Sequence, residues 1–165
     1  MLASIRGLGF SQEELLAGGL MSQGQRGVYD RFRGRLVWPI RDLAGAVIGF
    51  GARKLYDDDD GPKYLNSPET PLFHKGGTLY NLHNARKAAH DKGRVIAVEG
   101  YVDVISISAV GFNHVVAPLG TALTEGQLAE LWKLADEPYL CFDGDNAGRR
   151  AAARAAERAL PLLRA

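Results

Sequence analysis

The sequence predicts an α/β protein in which an N-terminal mixed α+β basic lobe is followed by a parallel sheet with flanking helices. Three observations carry that prediction. Short apolar runs at 94–98, 114–117 and 139–142 alternate with segments of helical periodicity, the pattern of βαβ units whose strands all point one way. Two of these runs lead directly into acidic clusters, Glu99-Gly100-Tyr101-Val102-Asp103 and Asp143-Gly144-Asp145. Upstream, residues 26–54 carry six Arg and one Lys against only Asp30 and Asp42.

With 165 residues and 46% hydrophobic content the chain can bury a core, as one domain or two small lobes. No apolar run approaches a membrane span and the N-terminus lacks a signal-peptide pattern, so a cytoplasmic setting without membrane contact is expected. The single cysteine, Cys141, excludes an intrachain disulfide and a zinc ribbon, and is expected to be a small core residue on a strand. The net charge of +1 is uninformative, but its distribution is not. Basic blocks stand apart from the acids at 57–60 and from the acidic clusters, which suits a phosphate-handling surface and equally a solvated one.

Residues 1–24 read as a helical lead-in, with a capping box at Ser11-Gln12-Glu13-Glu14 and a stop at Gly18-Gly19. From Val28 to Leu55 the pattern is that of strands. Leu36, Trp38 and Ile40 alternate, Asp42-Leu43-Ala44-Gly45 supplies a turn, and Val47-Ile48-Gly49-Phe50 resumes, which together describe a hairpin. Arg31, Arg33 and Arg35 recur every second residue, so an extended chain would project them from one face, either as a phosphate track or as a charged strand edge. The run Asp57 to Asp60 reads as a solvated loop tip. Prolines 62, 68 and 71 keep the next segment irregular. Leu79, Leu82, Ala85 and Ala89 predict a helix over 79–90, and Val102, Ile105 and Ala109 an apolar stripe after Glu99. Thr124-Glu125-Gly126-Gln127 gives another capping box, opening a helix in which Trp132 is expected to be core. A last helix, 147–160, places Arg150, Arg154 and Arg158 on one side and Ala152, Ala156, Ala159 and Leu163 on the other.

In an open parallel sheet ligands bind at the carboxyl ends of the strands, and Glu99, Asp143 and Asp145 would meet there. Each cluster alone reads as turn and helix-cap chemistry. Together they point to a site for a hard cation such as Mg²⁺, since the donors are all oxygen and no Cys or His stands beside them. Asp103 falls in the first turn of the following helix, where it complements the dipole.

Glu-Gly-Tyr-Val-Asp-Val at 99–104, Pro-Leu-Gly-Thr at 118–121 and Phe-Asp-Gly-Asp-Asn-Ala-Gly at 142–148 resemble the Toprim domain, in the version found in bacterial replicative DNA primases. Pro-Lys-Tyr-Leu-Asn-Ser-Pro-Glu-Thr at 62–70 and Phe-His-Lys-Gly at 73–76 resemble that family more specifically, and the likeness runs almost from residue 8 to residue 161. The resemblance implies residues 1–90 as part of the basic lobe of a primase core, and 91–165 as a Toprim-like parallel sheet ending after its third strand and helix. It implies metal-dependent synthesis of RNA primers on a single-stranded DNA template from ribonucleoside triphosphates. Glu99, Asp143 and Asp145 would then hold Mg²⁺ or Mn²⁺, with Asp103 linked to the metal. Arg31, Arg33, Arg53, Lys63, Asn66 and Lys75 would meet nucleotide and template, and Thr121 a phosphate.

Primases of this type also carry a zinc-binding domain, a helicase-contacting region, the first part of the catalytic core and a further strand with an acidic pair. None of these is expected within this chain, so contacts with helicase and zinc-binding domain belong to a full-length parent, at the nucleoid during replication. Two alternatives stay open on the residues alone: another Toprim enzyme, a nuclease or topoisomerase-like strand cleaver, and a non-catalytic module binding nucleotide or single-stranded DNA.

Overall fold

A computed structural model describes residue 5 and residues 7–58, 60–120 and 122–163. Thr121, named above for a phosphate contact, and Asp59 of the acidic run lie outside the described residues. The chain divides into two compact units, Met1–Ile40 with Val47–His74 and Arg41–Ala46 with Lys75–Ala165.

In the first unit, helix α1 spans Gln12–Ala17. Its capping box is formed: the Glu14 amide donates to Ser11 Oγ at 3.2 Å and the Ser11 amide to Glu14 Oε2 at 2.7 Å. Gly19 ends this segment at φ +70°, where a Cβ would stand 2.7 Å from the Pro68 ring, so glycine is required on both counts. The helix ends at the expected Gly18-Gly19 stop, and the rest of the lead-in forms a strand. Met21 turns inward at 3% exposure, and β1 (Met21–Gly24) pairs antiparallel with β2 (Gly27–Asp30) across a two-residue turn. The expected hairpin follows as β3 (Arg35–Arg41) and β4 (Val47–Lys54), and β5 (Tyr64–Asn66) adds antiparallel to β4. The core takes Phe32, Ile40, Ala52 and Phe73. Leu36 is exposed while Ile40 is fully buried, so the alternation at 36, 38 and 40 does not mark one uniformly buried face.

The second unit is built on a four-stranded sheet ordered β6-β8-β7-β9, comprising β6 (Leu79–Tyr80), β7 (Ile96–Ala97), β8 (Val115–Pro118) and β9 (Tyr139–Leu140). β7 is parallel to both β8 and β9, as expected, but β6 runs antiparallel to β8, so the sheet is mixed. Leu79, expected on a helix, is therefore a strand residue opposite Pro118. The break comes at Asn81, whose left-handed φ of 66° separates strand from helix while its Nδ2 donates to the Val115 carbonyl at 2.9 Å. Helix α2 (Leu82–Lys92) then buries Leu82, Ala85 and Ala89 as predicted.

Helix α3 (Tyr101–Ala109) buries Tyr101 and Val104, not the expected stripe at 102, 105 and 109, and Ile105 faces solvent. Its phase is set by Tyr101, whose ring stands edge-on to Tyr80 at 4.6 Å; burial raises the pKa of both phenols. In α4 (Glu125–Trp132), Leu128 and Leu131 are core, and Trp132 is half-buried at the cluster's edge. In α5 (Asn146–Ala159) the buried residues are Gly148 and Ala155; of the expected face, Ala152 is half-buried and Ala159 packs against the core, while Ala156 and Leu163 are exposed. Cys141 is exposed, because it sits beyond the carboxyl end of β9 instead of within the strand. Among the described residues no helix is long and apolar enough to cross a membrane.

Candidate functional site

Successive residues of a strand point to opposite faces of its sheet, and the core divides accordingly. Val95, Ala97 and Val116 join α2, α4 and α5 in one cluster, whereas Val98, Val115 and Ala117 pack with Val104 of α3 in another. The chain leaving β7 thus enters a helix on one face, and the chain leaving β9 enters a helix on the other. These two strands are neighbours, so their carboxyl ends flank a topological switch point, where open α/β folds form a ligand crevice.

Glu99 follows β7 and Asp143 follows β9. The Cys141 amide donates to the Ala97 carbonyl at 2.9 Å, carrying the ladder past the named strand, and the Asp143 amide donates to Glu99 Oε1 at 2.9 Å across 44 sequence positions. The two acidic clusters do meet, through a carboxylate bracing the other's backbone. Asp145 stands at the N-cap of α5, its Oδ1 accepting from the Gly148 amide at 2.8 Å. Gly148 has no alternative: a Cβ there would fall 2.2 Å from the Asp143 carbonyl oxygen. The first turn of α5 is seated directly on the Asp143 backbone. Asp103 turns back on its own helix, its Oδ2 accepting from the Gly100 amide at 3.0 Å.

The side chains of Glu99, Asp143 and Asp145 are exposed. Among the described residues no three His, Cys, Asp or Glu side chains are gathered tightly enough to enclose a metal ion. Glu99 and Asp145 each commit one oxygen to a backbone amide. Each retains a second, and with Asp143 they offer oxygen-only donors at an exposed crevice, a fit by donor type for a hard cation.

The first unit holds most of the predicted cations. Residues 31–34 form a turn, not the extended chain expected, because β2 ends at Asp30 and β3 begins at Arg35. Arg31, Arg33 and Arg35 nevertheless line one cavity of about 490 Å³, together with Tyr29, Asp58 and Asp60. Their roles differ. Arg31 donates from Nε and Nη2 to the Asn66 carbonyl, at 3.2 and 2.9 Å, and from Nη1 to Ser22 Oγ at 3.1 Å. Burial, the attraction of Tyr29 and the repulsion of Arg35 net to a lowered pKa, burial being the largest cause. Arg33 lies over the Tyr29 ring at 4.9 Å. Arg53 and Lys63 lie 5.9 and 5.8 Å from the centre of the Tyr64 ring, which opens strand β5 where an irregular segment was expected.

Lys75 lies in the second unit, half-buried, in a 3₁₀ turn over Lys75–Gly77. That turn is held by Gln127, recognisable in the sequence only as a capping-box member. Gln127 is 1% exposed; its Nε2 donates to the carbonyls of Lys75 and Thr78 at 2.9 and 2.8 Å, while its Oε1 accepts from the Thr124 amide at 3.1 Å. The Thr124 hydroxyl donates to the Gly76 carbonyl. A Gln at the third position of a helix was visible in the sequence; the long-range donors of its amide were not.

Comparison with known proteins gives two family matches: the N-terminal domain of the DNA primase catalytic core over residues 1–86, and the Toprim domain over residues 93–164. A DNA primase of Neisseria meningitidis is 54% identical over 136 residues, covering 82% of this chain and 23% of that protein. A DNA primase of Streptomyces coelicolor is 47% identical over 158 residues, covering 93% of this chain and 25% of that protein. The chain thus spans about a quarter of the length of these curated relatives. Among solved structures, a DNA primase domain from Pseudomonas aeruginosa matches with a TM-score of 0.89 at 46% identity, covering 97% of this chain and 51% of that one. A DnaG primase catalytic domain bound to ssDNA matches with a TM-score of 0.84 at 43% identity, covering 96% and 50%.

Proposed function

Because the chain belongs to the DNA primase catalytic-core family, we propose that it forms part of an enzyme that extends RNA primers on a single-stranded DNA template from ribonucleoside triphosphates. The observation that carries this reading is the Asp143–Glu99 hydrogen bond at the switch point, which joins two acidic clusters distant in sequence at the place where an α/β sheet binds ligands. In this reading residues 1–90 are the basic lobe and residues 91–165 the Toprim domain.

Glu99, Asp143 and Asp145 would hold Mg²⁺ or Mn²⁺, which when bound neutralises triphosphate charge and lowers the pKa of an attacking hydroxyl. The chain's own residues do the remaining work. Glu99 holds the Asp143 backbone in register, the cap of α5 fixes Asp145, and the amides of the first turn of α5 favour anions near that edge. Asp103 acts one step removed, by fixing the Gly100 turn after Glu99. Arg33, Arg53 and Lys63 take phosphates of the template or nucleotide, and Arg31 holds the backbone of Asn66 in place. Lys75 takes a phosphate of the nucleotide. Sequence would be read by base pairing, and binding of the single strand would weaken steeply with salt. Contacts with a zinc-binding domain and with the replicative helicase would be those of the full-length enzyme, which would act in the cytoplasm at the nucleoid.

Calorimetric titration of Mn²⁺ and then a ribonucleoside triphosphate into the wild-type chain and into Asp143→Ala/Asp145→Ala tests the site. Binding of both by the wild type and of neither by the folded double variant is expected. Equal binding by the two proteins would remove the acidic edge from the reading.

A further inference from the structure

Gln127 is the most deeply buried polar amide of the second unit, and its bonding is directional. Both protons of its Nε2 are used on carbonyls of a separate segment, those of Lys75 and Thr78, 52 and 49 positions away in the chain. Its Oε1 is tied to the cap of its own helix through the Thr124 amide. Thr124 repeats the pattern, accepting from the Gln127 amide at 3.1 Å and donating its hydroxyl to the Gly76 carbonyl. Three carbonyls of a four-residue stretch, 75, 76 and 78, are thus fastened to one helix terminus. The Lys75–Gly77 turn contains two glycines, so its own sequence does little to restrict it. The bonds to Lys75 and Thr78 are partly buried, and leaving those two carbonyls unpaired would cost more than the hydrogen bonds themselves contribute, so the clamp fixes the turn's conformation.

We propose that Gln127, assisted by Thr124, is a positioning residue for Lys75, setting where the ammonium group meets the nucleotide phosphates. This rests on the reading of Lys75 as a nucleotide contact. Gln127 touches neither nucleotide nor metal in this account. It acts by pre-ordering a glycine-rich turn whose freedom would otherwise be lost on binding.

The test is a double-mutant cycle on the 165-residue chain, with binding of Mn²⁺-ATP measured by calorimetry and folding by thermal melts. Gln127→Met keeps the volume and removes both donors; Lys75→Ala removes the ammonium. Each single variant should weaken ATP binding about tenfold, the value of one hydrogen bond to a charged group, and the double variant no more than Lys75→Ala alone. Mn²⁺ binding without nucleotide should be unchanged throughout. If Gln127→Met does not fold, Thr124→Val replaces it in the cycle, with Thr124→Ser expected to restore binding. Additive losses, or full ATP affinity in Gln127→Met, would overturn the positioning role while leaving Lys75 as a contact. Full affinity in Lys75→Ala would remove Lys75 from the nucleotide site, and the inference with it.

Discussion

The acidic edge of the second unit and the cationic surface of the first use charge in opposite ways. At the acidic edge the charged groups also build the backbone: Glu99 holds the Asp143 amide, Asp145 caps α5 and Asp103 ties down Gly100. On the cationic surface Arg31 takes that duty with three hydrogen bonds and Arg35 with one, to the Pro62 carbonyl at 2.7 Å, while Arg33, Arg53 and Lys63 are exposed and lie over aromatic rings. A carboxylate accepts from amides on one oxygen and still offers the other, so structure and binding share a residue. A guanidinium that spends its donors on carbonyls has few left, so the work is divided among residues.

The sharpest way to break this contrast is Gly148→Ala. The added Cβ meets backbone, the Asp143 carbonyl at 2.2 Å, which cannot yield as a flexible side chain would. Stability should fall by about 3 kcal/mol in urea denaturation, with loss of Mn²⁺ binding although no carboxylate has been touched. Normal metal binding in that variant would mean the edge tolerates movement of its backbone. Next in size is the pair Arg31→Ala and Arg33→Ala. The first should cost about 2 kcal/mol of stability, the value of hydrogen bonds to a charged group left unmade. The second should leave stability unchanged and lower the salt dependence of oligo-dT binding by about one unit of slope, and equal effects on both measurements would erase the division of labour.

The smallest effect concerns His114, immediately before β8. It is 4% exposed, and among the described residues its Nδ1 has no hydrogen-bond partner; burial, with Lys92 and Arg94 nearby, lowers its pKa. The unfolded chain therefore takes up a proton near pH 6.5 that the folded chain resists, so this contribution is complete above that pH and declines as pH falls toward the lowered value. The loss is bounded by about 1.4 kcal/mol per pH unit. His114→Leu should flatten the difference in stability between pH 7.5 and pH 5.5, and an unchanged difference would acquit this histidine.

The acidic edge was legible in the sequence because strand ends and the acids after them are local features, and the parallel topology then delivers Glu99 to Asp143. The mixed sheet was not, since Leu79 sits at helical spacing with Leu82 and only the left-handed Asn81 separates strand from helix. Alternation misled at Arg31 to Arg35, where a turn brings three arginines to one cavity without an extended strand. At residues 21–24 the reason is different: a four-residue strand carries too little pattern to stand apart from the helical lead-in. The Gln127 clamp was beyond reach for a different reason: its partners are carbonyl groups, which every residue carries and no side-chain pattern reveals.

Cys141 gives the edge one further property. It is the only thiol in the 165-residue chain, it is exposed, and its amide is bonded to Ala97 two positions before Asp143 takes hold of Glu99. A maleimide dye would therefore attach at one place, beside the crevice and on backbone held by the ladder. The native sequence already provides a single attachment point for an optical reporter, with which the proposed arrival of a cation at the carboxylates would be followed in real time.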